Sequence, residues 1–316
     1  MSNASGSRLE PVPAPEPNPG SGPPAFPPLS LGPFQVEREV GRGTGSVVYR
    51  ASDPRNGAVV ALKVLYPTRA GQSAADLHAT AQRELELYAR LDHPNIVTVH
   101  ECGLADGYAY IAFRFVAGLP LDQGLASGMI DQATALRAMA LVARAVHHAH
   151  ENVLIHRDLK PRNVVVTAQG EPFVLDFGLS WRRGAPADAQ VQHIVGTPSY
   201  MSPEQARGEE AGLTPATDVY AIGAMLYEVL TGRPPFAALT SARTRQMVMA
   251  LPPKPPRELD STVDLNLERV VMHCLEKEPP KRYPTCAQLA EDLERALDGR
   301  PLRGPRSTGL LRRWLK

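Results

Sequence analysis

Cysteine is scarce in this chain: Cys102, Cys274 and Cys286 are the 3 in 316 residues, far apart and never as Cys-x-x-Cys. That excludes a disulfide framework, argues against a structural zinc site and suits a reducing compartment. Charge of one sign is lacking as well. Lys and Arg number 34 against 33 Asp and Glu, a formal net charge of +1, so no global field recruits nucleic acid, and none is expected as a partner. Long hydrophobic runs are also missing. Nowhere do about eighteen apolar residues follow one another without a charge or a breaker, and the first residues hold no apolar signal region. The expectation is a cytoplasmic protein. The length allows one large domain or two lobes with an ample core, stable without disulfide or metal staples.

Proline, by contrast, is plentiful and unevenly spread. Residues 1–33 hold a run of prolines from Pro11 to Pro33 among Gly, Ser and Asn, with too little apolar material to offset ordering entropy, so this segment is expected to be a disordered tail or linker. From Phe34 the pattern becomes short β-type runs, Phe34–Val40, Ser46–Ala51, Val59–Leu65, Val97–Cys102 and Tyr108–Phe113, broken once by a helical stretch from Ala74 to Arg90. Five strands and one helix make a small lobe. After Gly118 helical periodicity takes over, with Leu136, Met139, Ala140, Ala143 and Val146 on one face of a helix ending near His150. Val219 to Leu230 is apolar nearly all round, the mark of a helix through the middle of a core.

The most specific signal is His156-Arg157-Asp158-Leu159-Lys160-Pro161-Arg162-Asn163, followed by Asp176-Phe177-Gly178. Together these place a base, a phosphate-binding cation and two metal ligands in one short stretch, which is phosphoryl-transfer chemistry. With these motifs and this layout the chain resembles the eukaryotic-type protein Ser/Thr kinases, in particular the branch found in bacteria. The likeness runs from Phe34 to Leu297 in the family's order. It implies an α+β, bilobal protein-kinase-like fold: a five-stranded antiparallel N-lobe with one helix (34–117) and a mainly helical C-lobe (118–298), followed by a basic tail (299–316).

The resemblance also assigns roles to residues. ATP with Mg²⁺ is the implied phosphoryl donor, and Ser or Thr hydroxyls of protein substrates are the acceptors. Gly41-Arg42-Gly43-Thr44-Gly45-Ser46 would cradle phosphate with backbone N–H groups. Alone that segment also reads as a ligand-free glycine hairpin, and Ser46 stands where the family has its third glycine. Val48, Ala61 and Val165 would line the adenine, Phe113 would bound the back of its pocket, and the backbone of Arg114 and Val116 would hydrogen-bond it. Most relatives carry an acid where Arg114 stands. Lys63, in Val60-Ala61-Leu62-Lys63, would pair with the phosphates and with Glu84 on the helix, Glu86 being the alternative. Asp158 would accept the hydroxyl proton, Lys160 would neutralise the γ-phosphate, and Asn163 with Asp176 would hold Mg²⁺. Asp158, Lys160, Lys63, Asn163 and Asp176 form the expected catalytic set.

Other positions have supporting or regulatory readings. His156 is expected to pack under Phe177 and bond to backbone, and His147, His148 and His150 are scattered on a helix, not gathered as a metal site. Thr197 would bond the catalytic Asp and Lys, Glu204 would pair with Arg282, and Asp218 would anchor the catalytic loop. Arg157 usually meets an activation-loop phosphate, yet between Leu179 and Gly196 the hydroxyl-bearing residue is Ser180 alone. Asp188 is therefore expected to supply a fixed negative charge, or a partner to order the loop. Residues 299–316 hold 6 basic residues and no acid, with Trp314 beside leucines, and read either as a solvated tail or as a peripheral contact with anionic membrane. Two rival classes are an ATP-binding pseudokinase scaffold, which would have lost one of the catalytic residues, and a small-molecule phosphotransferase, which would lack Gly196–Glu204.

Overall fold

A computed structural model describes residues 30–43, 45–68, 71–177, 197–209 and 212–304, and the backbone of 181–182. The chain divides into two compact units, one made of residues up to Leu85 together with Val99–Phe115, the other of Glu86–Thr98 and everything from Val116.

The first unit is an antiparallel sheet with one helix. Its strands are β1 (Ser30–Leu31), β2 (Phe34–Gly43), β3 (Ser46–Asp53), β4 (Ala58–Leu65), β5 (Val99–Ala105) and β6 (Tyr108–Arg114), in the spatial order β1-β2-β3-β4-β6-β5. β3 and β4 alternate buried and less buried residues, and Val47, Tyr49, Ala51, Val60, Leu62 and Val64 form one apolar face. The expected count of five strands is corrected to six. Ser30–Leu31 lies within the segment expected to be disordered through Pro33, but Leu31 is fully buried in that same core, next to Phe34 and Tyr110, whose rings meet edge to face with centroids 5.7 Å apart. Burial of one leucine and pairing along β2 thus order a dipeptide set among prolines. Helix α1 (Ala74–Tyr88) buries Leu77, Ala81, Glu84 and Tyr88, a stripe at helical spacing that places an acid on the covered face.

The second unit is mainly helical. A short sheet of β7 (Gly118–Pro120), β9 (Val164–Thr167) and β10 (Pro172–Val174) and the pair β8 (Leu154–Ile155) with β11 (Trp181–Arg182) carry the loops. Around them run α2 (Leu121–Ala126), α3 (Gln132–Glu151), α4 (Pro203–Ala206), α5 (Pro215–Thr231), α6 (Ser241–Ala250), α7 (Leu265–Cys274) and α8 (Cys286–Leu297). α3 begins where Asp131 accepts from the Thr134 N–H at 2.7 Å, and buries the five residues read from its periodicity. α5 is buried along nearly its whole circumference, as its all-round apolarity requires. It packs on α7 so closely that a Cβ on Gly223 would sit 2.3 Å from the Cys274 Cβ.

Beyond α8 the chain does not leave the surface at Gly299. The carboxylate of Asp292, 1% exposed, accepts from the Tyr283 hydroxyl at 3.0 Å and from the backbone N–H groups of Arg303 and Gly304 at 2.8 Å each. A buried acid that needs donors holds the first residues of the basic segment. The rest of that tail, with Trp314, and the proline-rich residues 1–29 lie outside the described residues.

Candidate active site

The glycine-rich turn joins β2 to β3. Gly45 has φ of 85°, and a Cβ there would meet Thr68 Cγ2 at 2.5 Å, so this position admits only glycine. Ser46, by contrast, is the first residue of β3, paired with Gly43 and Leu65. A strand residue needs no glycine, which accounts for serine at the family's third glycine position. Tyr66 brackets the turn. Its hydroxyl donates to the Gly43 carbonyl at 2.8 Å and its N–H to the Gly45 carbonyl at 3.0 Å. Thr44 lies outside the described residues. Arg42 is exposed and held by Glu39, whose carboxyl its guanidinium keeps below the usual range.

Lys63 on β4 donates to both carboxylate oxygens of Glu84, at 2.9 and 3.1 Å, with both side chains largely buried. Glu86 is exposed, so the choice between the two acids falls to Glu84. Ala61 lies on β4 two residues before Lys63, Val48 of β3 is the cross-strand partner of Lys63, and Phe113, 7% exposed, pairs with Ala61 across β4 and β6. Arg114 ends β6.

In the second unit the catalytic-loop residues converge. The His156 Nε2 faces the Leu175 carbonyl at 2.8 Å and its Nδ1 faces the Asp158 N–H at 3.3 Å. A carbonyl can only accept and an amide N–H only donate, so the ring is the neutral tautomer with its hydrogen on Nε2. Both nitrogens are committed, and the ring lies 4.5 Å from that of Phe177, in keeping with a structural role. Asp158, 6% exposed, receives Lys160 Nζ on Oδ2 at 2.6 Å, while Asn163 Nδ2 donates to its carbonyl at 2.8 Å. The Leu175 N–H donates to the Asn163 carbonyl at 2.9 Å, which ties the residue before Asp176 to this loop. Val165 lies on β9, directly after this loop, and pairs with Pro120 of β7, the strand that begins two residues after Val116. Gly178 lies outside the described residues.

The loop is strained and held. Arg157 and Asp176 have φ of 70° and 60°, the left-handed region that non-glycine residues occupy only when their surroundings over-determine it. Here the surroundings include Asp218 of α5, fully buried, which accepts from the N–H groups of His156 at 2.8 Å and Arg157 at 3.0 Å and from His150 Nε2 at 2.8 Å. Burial raises its proton affinity, but His150 and the backbone donors outweigh that and hold it below the usual carboxylate range. Glu204 and Arg282 form a buried bidentate pair at 2.8 and 2.9 Å. Arg282 also donates to the carbonyls of Ala216, Glu276 and Lys277, so the pair is satisfied on all sides. Thr197 is part-buried, and its carbonyl accepts from the Tyr200 N–H. Ser180, Asp188 and Gly196 lie outside the described residues.

Three contacts were not foreseen: His150 to Asp218, Tyr66 to the glycine turn, and the Phe177 N–H to the Tyr88 hydroxyl at 3.1 Å. The helical spacing that sets Tyr88 in line with Leu77, Ala81 and Glu84 is the sequence signal for its burial, though not for its partner.

The protein kinase domain family matches residues 34–293. The chain belongs to the protein kinase family, in its eukaryotic-type bacterial Ser/Thr branch. The kinase domain is 31% identical over 278 residues to serine/threonine-protein kinase PrkC of Bacillus subtilis, covering 88% of this chain and 42% of that protein. It is 34% identical over 282 residues to PknB of Mycobacterium leprae, covering 86% and 44%, and 34% identical over 262 residues to PknD of Mycobacterium tuberculosis, covering 82% and 39%. The chain thus spans less than half the length of these curated relatives. Protein kinases generally use ATP and Mg²⁺. Among the described residues no helix is long and apolar enough to cross a membrane, and no group of three or more His, Cys, Asp or Glu could hold a metal ion by itself. An amide oxygen and a carboxylate, as Asn163 and Asp176 offer, are donor types that fit Mg²⁺, which takes one or two protein oxygens and completes its shell with phosphate and water.

Proposed function

We propose that this domain is an active protein Ser/Thr kinase, transferring the γ-phosphoryl group of Mg-ATP to Ser or Thr hydroxyls of protein substrates. The observation that carries the reading is the ordered loop in which Asp158, Lys160 and Asn163 are mutually hydrogen-bonded while the strained backbone beside them is clamped by Asp218. The hydrogen bonds from Lys160 and Asn163 fall on Asp158 Oδ2. That leaves Oδ1 to accept the proton of the attacking hydroxyl as the bond from its oxygen to phosphorus forms and the bond to the ADP oxygen breaks. Lys160 balances charge on the group in flight, and Lys63, oriented by Glu84, holds the α- and β-phosphates. Asn163 and Asp176 supply oxygen ligands to Mg²⁺, which when bound neutralises phosphate charge.

Backbone of the Gly41–Ser46 turn cradles the phosphates, and Val48, Ala61, Phe113, Arg114, Val116 and Val165 receive the adenine. A loose transition state asks for positioning and charge stabilisation, and these residue types supply both. All of Lys63, Asp158, Asn163 and Asp176 stand, which disfavours a scaffold without turnover. The free thiols of Cys102, Cys274 and Cys286 support a cytoplasmic setting. The test is transfer of labelled γ-phosphate to a generic protein with Mg²⁺. Asp158→Asn should lower the rate by about 100-fold or more while leaving nucleotide binding in place. Equal rates for the two proteins would overturn the assignment.

A further inference from the structure

Gln205 lies outside the expected catalytic set, yet it connects two segments of the active site. It follows Glu204 on α4 and is 7% exposed. Its Oε1 accepts from the Ser202 N–H at 3.1 Å, completing the capping box of α4. Its Nε2 donates to the Arg157 carbonyl at 2.7 Å. One end of the amide is thus committed to the segment Thr197–Glu204 and the other to the peptide that leads into Asp158. Arg157, between, has φ of 70°. Its N–H is held by Asp218 of α5 at 3.0 Å and its carbonyl by Gln205 of α4, so the peptides on both sides of the strained residue are fixed by side chains. The second of those peptides sets the direction in which Asp158 leaves the chain.

We propose that Gln205 is a positioning residue for phosphoryl transfer: it orients the base Asp158 and keeps it in register with the Thr197–Glu204 segment. The inference rests on the kinase reading above. The position requires a side chain that accepts at one end and donates at the other. An ionised carboxylate keeps the acceptor for Ser202 but sets negative charge against the Arg157 carbonyl. A protonated carboxyl restores both bonds.

The experiment compares wild type, Gln205→Glu and Gln205→Met for kcat, for KM of ATP and of a generic protein acceptor, and for melting temperature, across the neutral pH range. At the alkaline end Gln205→Glu should transfer about tenfold to 100-fold more slowly than wild type with the KM for ATP unchanged. As pH falls, its rate as a fraction of wild type should rise, because burial raises the proton affinity of the introduced carboxyl and its O–H then donates to Arg157. Gln205→Met should stay slow at every pH. Arg157, Asp158, Lys160, Glu204, Asp218 and Arg282 are common to all three proteins and cancel in the ratio. The proposal is overturned if Gln205→Glu stays within about twofold of wild type throughout, or if both variants lose activity equally at every pH. A wild type that transfers no phosphate would overturn the kinase reading, and this proposal with it. An active wild type with variants that behave alike would overturn the proposal alone.

Discussion

Lys63 and Glu84 show what a single ion pair fixes. Both are largely buried, and each offsets the charge of the other. Lys63→Met should abolish detectable transfer and leave the Glu84 carboxylate without its cation, lowering stability by roughly 3–5 kcal/mol as measured by denaturant unfolding. A variant as stable as wild type would mean that the pair is replaceable. Asp218 concentrates a comparable dependence in one carboxylate, with two backbone N–H groups and His150 bonded to it. Asp218→Asn turns an amide N–H toward donors that need an acceptor, at a cost of about 1–3 kcal/mol for each donor left unsatisfied. The expected readout is a fall in kcat with the KM for ATP unchanged, since Asp218 holds the loop and not the nucleotide.

At the scale of elements, the close contact of α5 and α7 predicts that Gly223→Ala, harmless by helix propensity, destabilises by about 1–3 kcal/mol because the new methyl meets Cys274. Calorimetry on the two proteins decides it. For the glycine turn, Tyr66→Phe removes the hydroxyl donor to Gly43 and should raise the KM for ATP about two- to tenfold with kcat little changed. An unchanged KM would show that Tyr66 does not set the turn. These elements also show what the sequence made legible. Alternation in β3 and β4, the stripe of α1 and the all-round apolarity of α5 are local periodicities, and the structure follows them. The His156–Asn163 loop stood out for another reason: its residue types are those that phosphate chemistry asks for, and they lie within a few positions of one another. β1 did not, because two residues carry no period and their order comes from one buried leucine. Gln205, His150 and Tyr66 did not either, since each acts on a residue 48, 68 or 23 positions away and nothing in local spacing marks the pair.

For the whole molecule, two of the buried carboxylates that hold the second unit together have proton affinities below their ordinary values of 4.5 for Glu204 and 3.8 for Asp218. Burial raises each, but Arg282 outweighs it at Glu204 and His150 at Asp218. On acidification the unfolded chain therefore takes up protons before the folded one. Their contribution is complete above those ordinary values and is lost as pH falls through the lower folded ones. Melting temperature should drop as pH falls below about 5, and Glu204→Gln, less stable at neutral pH, should show a shallower acid slope. Equal slopes would remove Glu204 from the account.

The central claim is phosphoryl transfer to an alcohol. Its most direct measurement is the chemical identity of the labelled residue after incubation of the protein with labelled ATP, Mg²⁺ and a protein acceptor. Phosphoserine and phosphothreonine are expected, lost when Mg²⁺ is chelated and lost in Asp158→Asn. Absence of label with wild type, or label that persists in Asp158→Asn, would contradict it.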